Sequence, residues 1–248
     1  MVMEKLFVNA KKPKGRMGRM MASGMNGGAH ERLARWGMTH FEVRGDVLDI
    51  GCGGGGNISR MLPMEGVTSV KGLDYSEVSV AKSKEVNAAA IAGGRCEIVQ
   101  GDVRDMPFGD CSFDTVTAFE TVYFWPEIGE TFKQVYRVVR PGGLFAVTNE
   151  SDGEGKSAVK YQRMIDGMNL YTSERLSELM KTAGFTGIEM FRHEERPWIT
   201  VVGKKRRMAP TVQGLARPPS SFDHRVRQDI GGIYLQFTHR NRRHHMMP

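Results

Sequence analysis

The stretch from Val47 to Ile58, with the sequence VLDIGCGGGGNI, constrains the fold of this chain more than any other. Its residue order is typical of a short buried strand, a turn made almost entirely of glycine, and the start of a helix. Glycine allows the backbone to turn at positive φ and lets a ligand approach the main chain without meeting a Cβ atom. The following helix would direct its unpaired N–H groups and positive dipole end toward the turn. The stretch therefore predicts a cofactor-binding turn.

The glycine spacing alone does not identify the cofactor. Gly51, Gly53 and Gly56 satisfy the dinucleotide pattern G-x-G-x-x-G, which is a weak signal by itself. Asp74 ends the next strand-like run, 74 − 53 = 21 residues after Gly53, near the interval of about 20 residues expected for a carboxylate that binds ribose hydroxyls. The ligand is therefore predicted to carry a ribose. The charge of Asp74 would repel a 2′-phosphate, which argues against NADP.

Two further acidic residues favour a methionine-derived ligand over NAD. Asp49 lies two residues before Gly51, where a carboxylate would repel a pyrophosphate and attract an ammonium group, directly or through water. Asp102 follows a third strand-like run, Cys96–Gln100, and is well placed there to accept a hydrogen bond from an adenine amino group. Acids at three successive strand ends favour a ligand that is cationic at one end and adenosine at the other.

Together, five stretches of the chain resemble the class I S-adenosylmethionine-dependent methyltransferases, specifically the small-molecule "type 11" or ubiquinone-biosynthesis-like branch. They fall within about residues 30 to 203, in the family's order and spacing. The resemblance implies a Rossmann-like α/β fold: a doubly wound, mostly parallel seven-stranded sheet with an antiparallel edge and an N-terminal helical cap. It implies S-adenosyl-L-methionine as the cofactor. The matching stretches are Val47–Gly55, Gly72–Ser76, Gln100–Phe108, Phe113–Trp125 and Val139–Gly143.

The resemblance also implies which residues bind the cofactor. Asp74 is expected at the ribose hydroxyls, and Asp102 and Val103 are expected around adenine. Two glycines of the turn are expected against the methionine portion, with an acid just past strand four nearby; a solvent-facing role is the alternative for that acid. The complete predicted cofactor site comprises Asp49, Gly51, Gly53, Asp74, Tyr75, Asp102, Val103 and Glu120.

The pocket for the methyl acceptor is expected to be built from residues 17–44 and 149–171, with aromatic residues after strand four as candidate walls. Helical spacing of apolar residues predicts a short amphipathic helix within residues 21–44, with Asn26 and His30 one turn apart on one side. In the resembling family such a segment packs beside the cofactor and contributes to substrate binding. At least one aromatic residue after strand four is expected to pack in the core instead. The predicted substrate residues are His30, Trp36, Tyr123 and Trp125.

The chemistry requires few catalytic groups. Methyl transfer from a sulfonium is an in-line displacement to which positioning contributes most. A thiolate, carbanion or neutral amine acceptor needs no catalytic side chain, whereas a phenol or hydroxyl needs a general base. His30 is the best-placed candidate because its ordinary pKa is near neutral, although helix packing or cofactor capping also explains it. No catalytic residue is therefore assigned.

No metal site or disulfide framework is predicted. Cys52, Cys96 and Cys111 form no C-x-x-C pair and are expected to be reduced thiols. His239, His244 and His245 fit a solvated basic tail better than a metal site.

Charge and composition divide the chain into three predicted regions: a mobile basic arm (1–20), the methyltransferase domain (21–203) and a disordered, basic, low-order tail (204–248). The tail holds ten Lys/Arg and two Asp, which leaves a net charge of −1 for residues 1–203. Such a polar tail cannot bury enough apolar surface to offset its chain entropy. We therefore expect a small-molecule acceptor and no specific nucleic-acid partner. The sequence holds no signal for the oligomeric state.

The cytoplasm is the expected compartment. The chain shows neither a run of apolar residues long enough to span a membrane nor the apolar core of a secretory signal.

Strands and helices alternate from Val47 onward, which indicates a parallel sheet covered on both faces. Expected elements include one helix from Ser76 to Gly93, a helix starting at Pro126, a strand over Leu144–Thr148 and a final strand pair over 185–191 and 197–202. Residues 149–171 interrupt the alternation and are a candidate lid over the sheet edge that binds ligands.

Two other functions remain open. An NAD-dependent oxidoreductase would need a proton-transfer residue, and the sequence contains no Tyr-x-x-x-Lys. A nucleic-acid methyltransferase would use the basic ends of the chain. Its usual Asn/Asp-Pro-Pro-aromatic tetrapeptide is absent, because Phe119-Glu120-Thr121-Val122 stands at that position.

Overall fold

The computed structural model describes residues 26–154 and 167–207, together with Gly15, Gly18, Met20, Gly24, Gln162 and Ile165. All of them belong to one compact unit that spans Met1–Met208. Nearly all of the predicted basic arm, the tail beyond residue 207 and ten of the 23 residues of the candidate lid lie outside the described residues.

Seven strands form one sheet in the order β3-β2-β1-β4-β5-β7-β6. Strands β1 to β5 pair in parallel, and β7 pairs antiparallel with both β5 and β6. The strands are β1 (Gly45–Ile50), β2 (Val67–Asp74), β3 (Cys96–Gln100), β4 (Phe113–Phe119), β5 (Val139–Asn149), β6 (Thr186–Arg192) and β7 (Ile199–Lys204). This is the predicted doubly wound fold with its antiparallel edge.

Six helices accompany these strands within the described ranges, and short 3-10 turns cover Val103–Asp105 and Val122–Phe124. Buried side chains form two hydrophobic clusters. One cluster includes residues of α1, α2 and α3, and the other includes residues of α5 and α6. The helices are α1 (Gly28–Met38), α2 (Gly56–Met61), α3 (Glu77–Val86), α4 (Ala88–Ala92), α5 (Ile128–Val138) and α6 (Ser173–Ala183).

Strand order reverses between β1 and β4, which lie side by side in the middle of the sheet. Asp49 of β1 stands between Gly72 of β2 and Thr117 of β4 in the register of the sheet. Open α/β sheets bind ligands beyond the carboxyl ends of the strands at such a reversal point. The fold therefore places the glycine turn after β1 at the expected ligand position.

The helix predicted from Ser76 to Gly93 is two helices, α3 and α4, that meet at Asn87. Ser76 caps α3 as expected, since its Oγ accepts the N–H of Ser79 at 3.4 Å. The side-chain amide of Asn87 donates to the carbonyl oxygens of Gly55 (3.1 Å) and Ser83 (3.0 Å). An asparagine side chain can hydrogen-bond to backbone groups and so compete with helical hydrogen bonds. The bond from Asn87 to Gly55, which lies outside both helices, therefore explains why the helix breaks at Asn87.

The helix predicted from Pro126 begins at Ile128, so the first-turn position assigned to this proline is wrong. Glu127 precedes the helix with a left-handed φ of 46°. The Pro126 carbonyl oxygen instead accepts the hydroxyl of Thr131 at 2.7 Å. The strand predicted to start at Leu144 already begins at Val139, directly after α5.

Sheet pairing continues past the predicted domain end at residue 203. Strand β7 ends at Lys204, the N–H of Lys205 donates to the Gly143 carbonyl (2.9 Å), and the N–H of Gly142 donates to the Lys205 carbonyl (2.8 Å). The first residues of the predicted tail therefore belong to the sheet. Among the described residues, no helix has the length and apolar character that crossing a bilayer requires.

Candidate active site

The glycine turn between β1 and α2 contains three left-handed glycines: Gly51 (φ 72°), Gly53 (φ 51°) and Gly55 (φ 80°). A Cβ atom on Gly51 would lie 2.2 Å from Oγ1 of Thr121, whereas a Cβ atom on Gly53 would meet no atom within 4 Å. Gly51 is therefore required by packing against the segment after β4. Gly53 borders open space, where a ligand can approach the main chain.

Asn26 holds this turn from outside. Its side-chain amide donates to the Gly54 carbonyl (2.8 Å), and its Oδ1 accepts the N–H of Gly56 (3.1 Å), the first residue of α2. The expectation that Asn26 shares a helix with His30 is wrong, because α1 begins at Gly28. The role of Asn26 was missed in the sequence, although asparagine is a preferred helix cap.

Asp74 reaches the turn from the end of β2. Its two carboxylate oxygens accept the N–H of Gly53 (2.9 Å) and the N–H of Ser76 (2.8 Å). Tyr75 lies half-buried beside it, and burial together with the charges of Asp74 and Asp102 raises the pKa of the tyrosine to about 12. A carboxylate can accept several hydrogen bonds at once, so Asp74 is also suited to a ribose hydroxyl.

The two residues expected around adenine are in different environments. Asp102 accepts three hydrogen bonds from Arg104: from Nε (3.0 Å), from Nη2 (2.7 Å) and from the backbone N–H (2.9 Å). Val103 is buried in the hydrophobic cluster below the sheet edge. No sequence pattern predicts Arg104 as the partner of Asp102. An adenine amino group at this position would share the carboxylate with a guanidinium.

Asp49 is buried in the middle of the sheet, with 1% of its surface exposed. Its Oδ1 accepts the hydroxyl of Thr117 at 2.8 Å, while its Oδ2 has no hydrogen-bond partner in the part of the chain that the structure describes. Burial, with a smaller effect from the charge of Asp74, raises the pKa of Asp49 to about 7. A buried carboxylate oxygen without a partner fits a cationic ligand group such as the methionine ammonium.

Glu120 follows β4 in a left-handed conformation with φ 58°. Only 8% of its surface is exposed, so the alternative of a solvent-facing acid is wrong. One carboxylate oxygen accepts the backbone N–H of Glu150, and the other lies 4.0 Å from Nδ1 of His30. The hydroxyl of Tyr123 also hydrogen-bonds to this carboxylate. Burial, followed by the charge of Glu150, raises the pKa of Glu120 to about 8.

The structure separates the four predicted substrate residues. His30 and Tyr123 both lie at Glu120. Trp125 packs in the core, where its ring stacks on that of Phe145. Assigning Trp125 to the acceptor wall is therefore wrong, because a core site with an indole N–H partner (Oγ1 of Thr121, 3.2 Å) satisfies it completely.

Trp36 belongs to an aromatic cluster that fastens α1 to the β6–β7 edge. Its ring centroid lies 4.7 Å from that of His40, 5.5 Å from that of His193 and 5.9 Å from that of Trp198. These contacts show that Trp36 packs against this edge, and the substrate contact expected from the sequence stays a prediction. Within the described ranges no group of three metal-binding side chains forms, and the three tail histidines lie outside those ranges.

The family comparison matches the region that holds this site. Residues 48–147 match a family model described as a methyltransferase domain. This region of the chain carries a methyltransferase domain. The matched residues run from β1 to β5 of that domain and include the glycine turn, Asp74, Asp102 and Glu120. Residues Asn26 and His30 precede the match.

Similar proteins share the domain. Over 101 residues, the chain is 41% identical to cycloartenol-C-24-methyltransferase 1 of Oryza sativa subsp. japonica, covering 41% of this chain and 29% of that protein. Over 170 residues, it is 31% identical to cycloartenol-C-24-methyltransferase of Arabidopsis thaliana, covering 64% of this chain and 50% of that protein. The chain thus spans half or less of the length of these two relatives.

A solved structure has the same fold. A chain from the complex between the Haloferax volcanii Trm112 methyltransferase activator and the putative methyltransferase superposes with a TM-score of 0.70 at 20% identity. The superposition covers 78% of the chain described here and 96% of the chain from that complex. At this level of identity the likeness concerns the fold alone.

Proposed function

We propose that this chain transfers a methyl group from S-adenosyl-L-methionine to a small-molecule acceptor. The observation that carries the proposal is the buried Oδ2 of Asp49, which has no partner among the described residues and lies beside a glycine turn that is open at Gly53. A cation at Asp49 and a ribose at Asp74 require a ligand that is positively charged at one end and a nucleoside at the other. When bound, such a cofactor supplies an electrophilic methyl group on a sulfonium.

Residues of the chain hold this ligand in a defined orientation. Asp49 is suited to the methionine ammonium, Gly53 to close approach of the methionine portion, and Asp74 to the ribose hydroxyls. Asp102 and Val103 are proposed around the adenine, as the family resemblance implies, and Tyr75 is proposed as a further cofactor contact. Fixing the donor in this way leaves the acceptor to approach in line, which is the main contribution that a protein makes to this reaction.

The two alternative functions fit the same geometry less well. A dinucleotide pyrophosphate would need free N–H groups at the start of α2. The N–H of Gly56 there is already bonded to Asn26, and the nearby Asp49 carboxylate repels anions. A nucleic-acid substrate would depend on the basic ends of the chain, whereas the site residues all lie between Asn26 and Glu150.

The acceptor that we propose to test first is a sterol. Its support is the similarity to two proteins whose names specify cycloartenol C-24 methylation. The proposed domain extends over residues 21–207, slightly beyond the predicted boundary, because Lys205 pairs with the sheet. The cytoplasmic location stays a prediction.

Binding calorimetry tests the cofactor assignment. The chain should bind S-adenosylmethionine and S-adenosylhomocysteine but not NAD. Asp74→Ala should weaken binding by about 1.5–3 kcal/mol, or ten- to hundredfold, because charge-assisted hydrogen bonds to the ribose are lost. Asp46→Ala, which removes a carboxylate at the opposite end of β1, is the matched control and should bind as tightly as the wild type. NAD binding, or an unchanged affinity in Asp74→Ala, contradicts the proposal.

Turnover tests the activity itself. Formation of S-adenosylhomocysteine should be measured with cycloartenol in detergent, and then with a panel of amines, phenols and thiols. We expect formation above the acceptor-free rate with at least one compound. Tight cofactor binding without turnover of any panel member would contradict the proposed class of small-molecule acceptor.

A further inference from the structure

We propose that Glu120 removes the proton that the acceptor loses on methylation and passes it to His30, which releases it to solvent. The inference rests on the proposed function and defines the acceptor class. The acceptor would carry its proton at the reacting atom, as a hydroxyl or N–H group does, or be an alkene whose methylation leaves a cation that loses a neighbouring C–H proton. Thiolates and carbanions, which have no proton to lose, would not need this arrangement.

Glu120 lies beside the point where the cofactor turn meets β4. The next residue, Thr121, contacts Gly51 so closely that a Cβ atom on the glycine would lie 2.2 Å from Oγ1 of the threonine. The Glu120 N–H donates to the Thr148 carbonyl at 3.0 Å, while φ is 58°. A glutamate rarely adopts this conformation, and such outliers cluster at functional sites. The backbone therefore fixes the carboxylate near the methionine end of the proposed cofactor site.

The surroundings of Glu120 leave its carboxylate without a fixed cation. The titratable groups around it are Glu150, Tyr123 and His30. Among the described residues, no lysine or arginine forms an ion pair with it within 4.0 Å. Burial and the charge of Glu150 raise its pKa to about 8. A carboxyl group in this range exchanges its proton near neutral pH, which suits a general base.

His30 connects this buried carboxylate to solvent. Its Nδ1 lies 4.0 Å from Oε2 of Glu120, and 36% of the imidazole side chain is exposed, against 6% for the glutamate. Nδ1 has no hydrogen-bond partner among the described residues. A separation of 4.0 Å is too long for a direct hydrogen bond, so a bridging water or a small movement of α1 would complete the path.

The proposed step balances in atoms and charge. As the bond between the methyl carbon and the acceptor atom forms, the C–S bond breaks and sulfur keeps the electron pair. The electron pair of the acceptor's X–H or C–H bond stays on the acceptor. Its proton goes to Oε2 of Glu120, then to Nδ1 of His30 and from the imidazole to water.

The first test needs no acceptor. Calorimetric titration of the full chain at pH 8, in two buffers of different ionisation enthalpy, gives the number of protons released on ligand binding. S-adenosylmethionine carries a sulfonium charge and S-adenosylhomocysteine does not. A sulfonium beside Glu120 favours the carboxylate form, so the charged ligand should release up to about half a proton more than the neutral one.

Matched variants assign this difference to one residue. Glu120→Gln should abolish it. Glu127→Gln should retain it, since Glu127 is also a left-handed glutamate (φ 46°) but is exposed. Equal proton release by the two ligands in the wild type would overturn the inference, even if Glu120→Gln failed to fold. Failure to bind either ligand would contradict the proposed function instead.

The second test addresses His30, with cycloartenol as the acceptor probe. His30→Ala should lower kcat about ten- to hundredfold, with little change in KM for the cofactor, and added imidazole should restore part of the rate. Imidazole should not accelerate His40→Ala, which removes a histidine that stacks on Phe191 away from Glu120. Full activity of His30→Ala, or loss that imidazole does not restore, would exclude His30 as the proton path. If cycloartenol is not methylated, the same kcat comparison is made with the amine or phenol of the panel that is turned over.

Discussion

Strands β1 and β4 carry carboxylates at both ends, and the two ends of the sheet differ in how they accommodate them. At the amino end, Asp46 accepts the hydroxyl of Ser69 (2.7 Å) and pairs with Arg140 (2.9 Å). The hydrogen bond from Ser69 and then the Arg140 guanidinium lower the pKa of Asp46. At the carboxyl end, burial raises the pKa of Asp49 to about 7 and that of Glu120 to about 8.

The difference separates carboxylates that stabilise the fold from carboxylates available to a ligand. A buried charge without a partner costs folding free energy. Such groups are tolerated where binding or chemistry uses them, and perturbed pKa values therefore mark candidate functional sites. At the amino end Arg140 also pairs with Asp114 of β4, so one guanidinium contacts a carboxylate on each of the two strands. No arginine or lysine of the described residues pairs with Asp49 or Glu120 at the other end.

The largest predicted effect is on the pH dependence of stability, tested with Glu120→Gln. Because folding raises the pKa of Glu120 from 4.5 to about 8, its protonated form stabilises the protein fully below pH 4.5, and this contribution is lost as the pH rises toward 8. Between pH 5 and 8.5 the wild type should lose on the order of 3–5 kcal/mol more than the variant. Urea unfolding at the two pH values measures this, with Glu127→Gln as control. If the stabilities of the wild type and Glu120→Gln change equally with pH, the pKa of Glu120 is not raised by burial, and the two ends of the sheet do not differ in this way.

Asp49→Asn should give a somewhat smaller effect of the same sign. The amide still accepts the Thr117 hydroxyl and removes the charge that burial disfavours, so the variant should gain about 2–4 kcal/mol over the wild type at pH 8.5. The same change should weaken S-adenosylhomocysteine binding about tenfold, since an ammonium partner is lost. A more stable variant that binds as tightly as the wild type would show that Asp49 does not meet the cofactor.

Arg140→Ala should act in the opposite direction at the other strand end. Without the guanidinium, Asp46 and Asp114 face each other unpaired, and stability at pH 7 should fall by about 1–2 kcal/mol. The loss is modest because solvent screens this ion pair, since 37% of the Arg140 side chain is exposed. Cofactor affinity of the folded protein should not change. The control is Lys133→Ala, which breaks an exposed pair with Glu130. A loss of affinity in Arg140→Ala would show that the two ends are coupled.

The smallest effect is expected from ending the chain after Arg207. Residues 208–248 hold six basic and two acidic residues, and their attraction to anions is screened beyond about 8 Å at physiological salt. The melting midpoint and the cofactor affinity should stay unchanged, while weak binding to polyanions at low salt should decrease. If the shortened chain aggregates or loses turnover, residues 208–248 are needed for folding or activity.

Local patterns were enough to predict the elements that surround the glycine turn. The bounds of β3 and β4, the cap at Ser76 and the meeting of Asp74 with the glycine turn follow from residues close in sequence or from a spacing typical of the fold. Long-range partners were not predictable in this way. Asn26 bonds to Gly54 across 28 positions, and no periodicity in the N-terminal segment indicates that contact.

The acceptor side was predicted less well because aromatic side chains fit several environments. Trp125 and Tyr123 are neighbours after β4, yet one packs in the core and the other bonds to Glu120. The difference depends on the direction in which each side chain leaves the backbone. Tyr123 lies in a 3-10 turn, Val122–Phe124, and Trp125 follows directly after it, whereas the sequence predicted only that a helix starts at Pro126. The left-handed conformation of Glu120 has no sequence signal, since glutamate is not a residue that favours it.

The contacts of Asn26 make the cofactor turn and the start of α1 one thermodynamic unit. Moving α1 away would leave the Gly54 carbonyl and the Gly56 N–H without their partner, and it would also break the bond from Arg60 to the Asn26 carbonyl. Binding equilibria that share such contacts are reciprocal. We expect a ligand that stabilises the turn to slow amide exchange at the start of α1, and a change that loosens α1 to weaken ligand binding by the same factor.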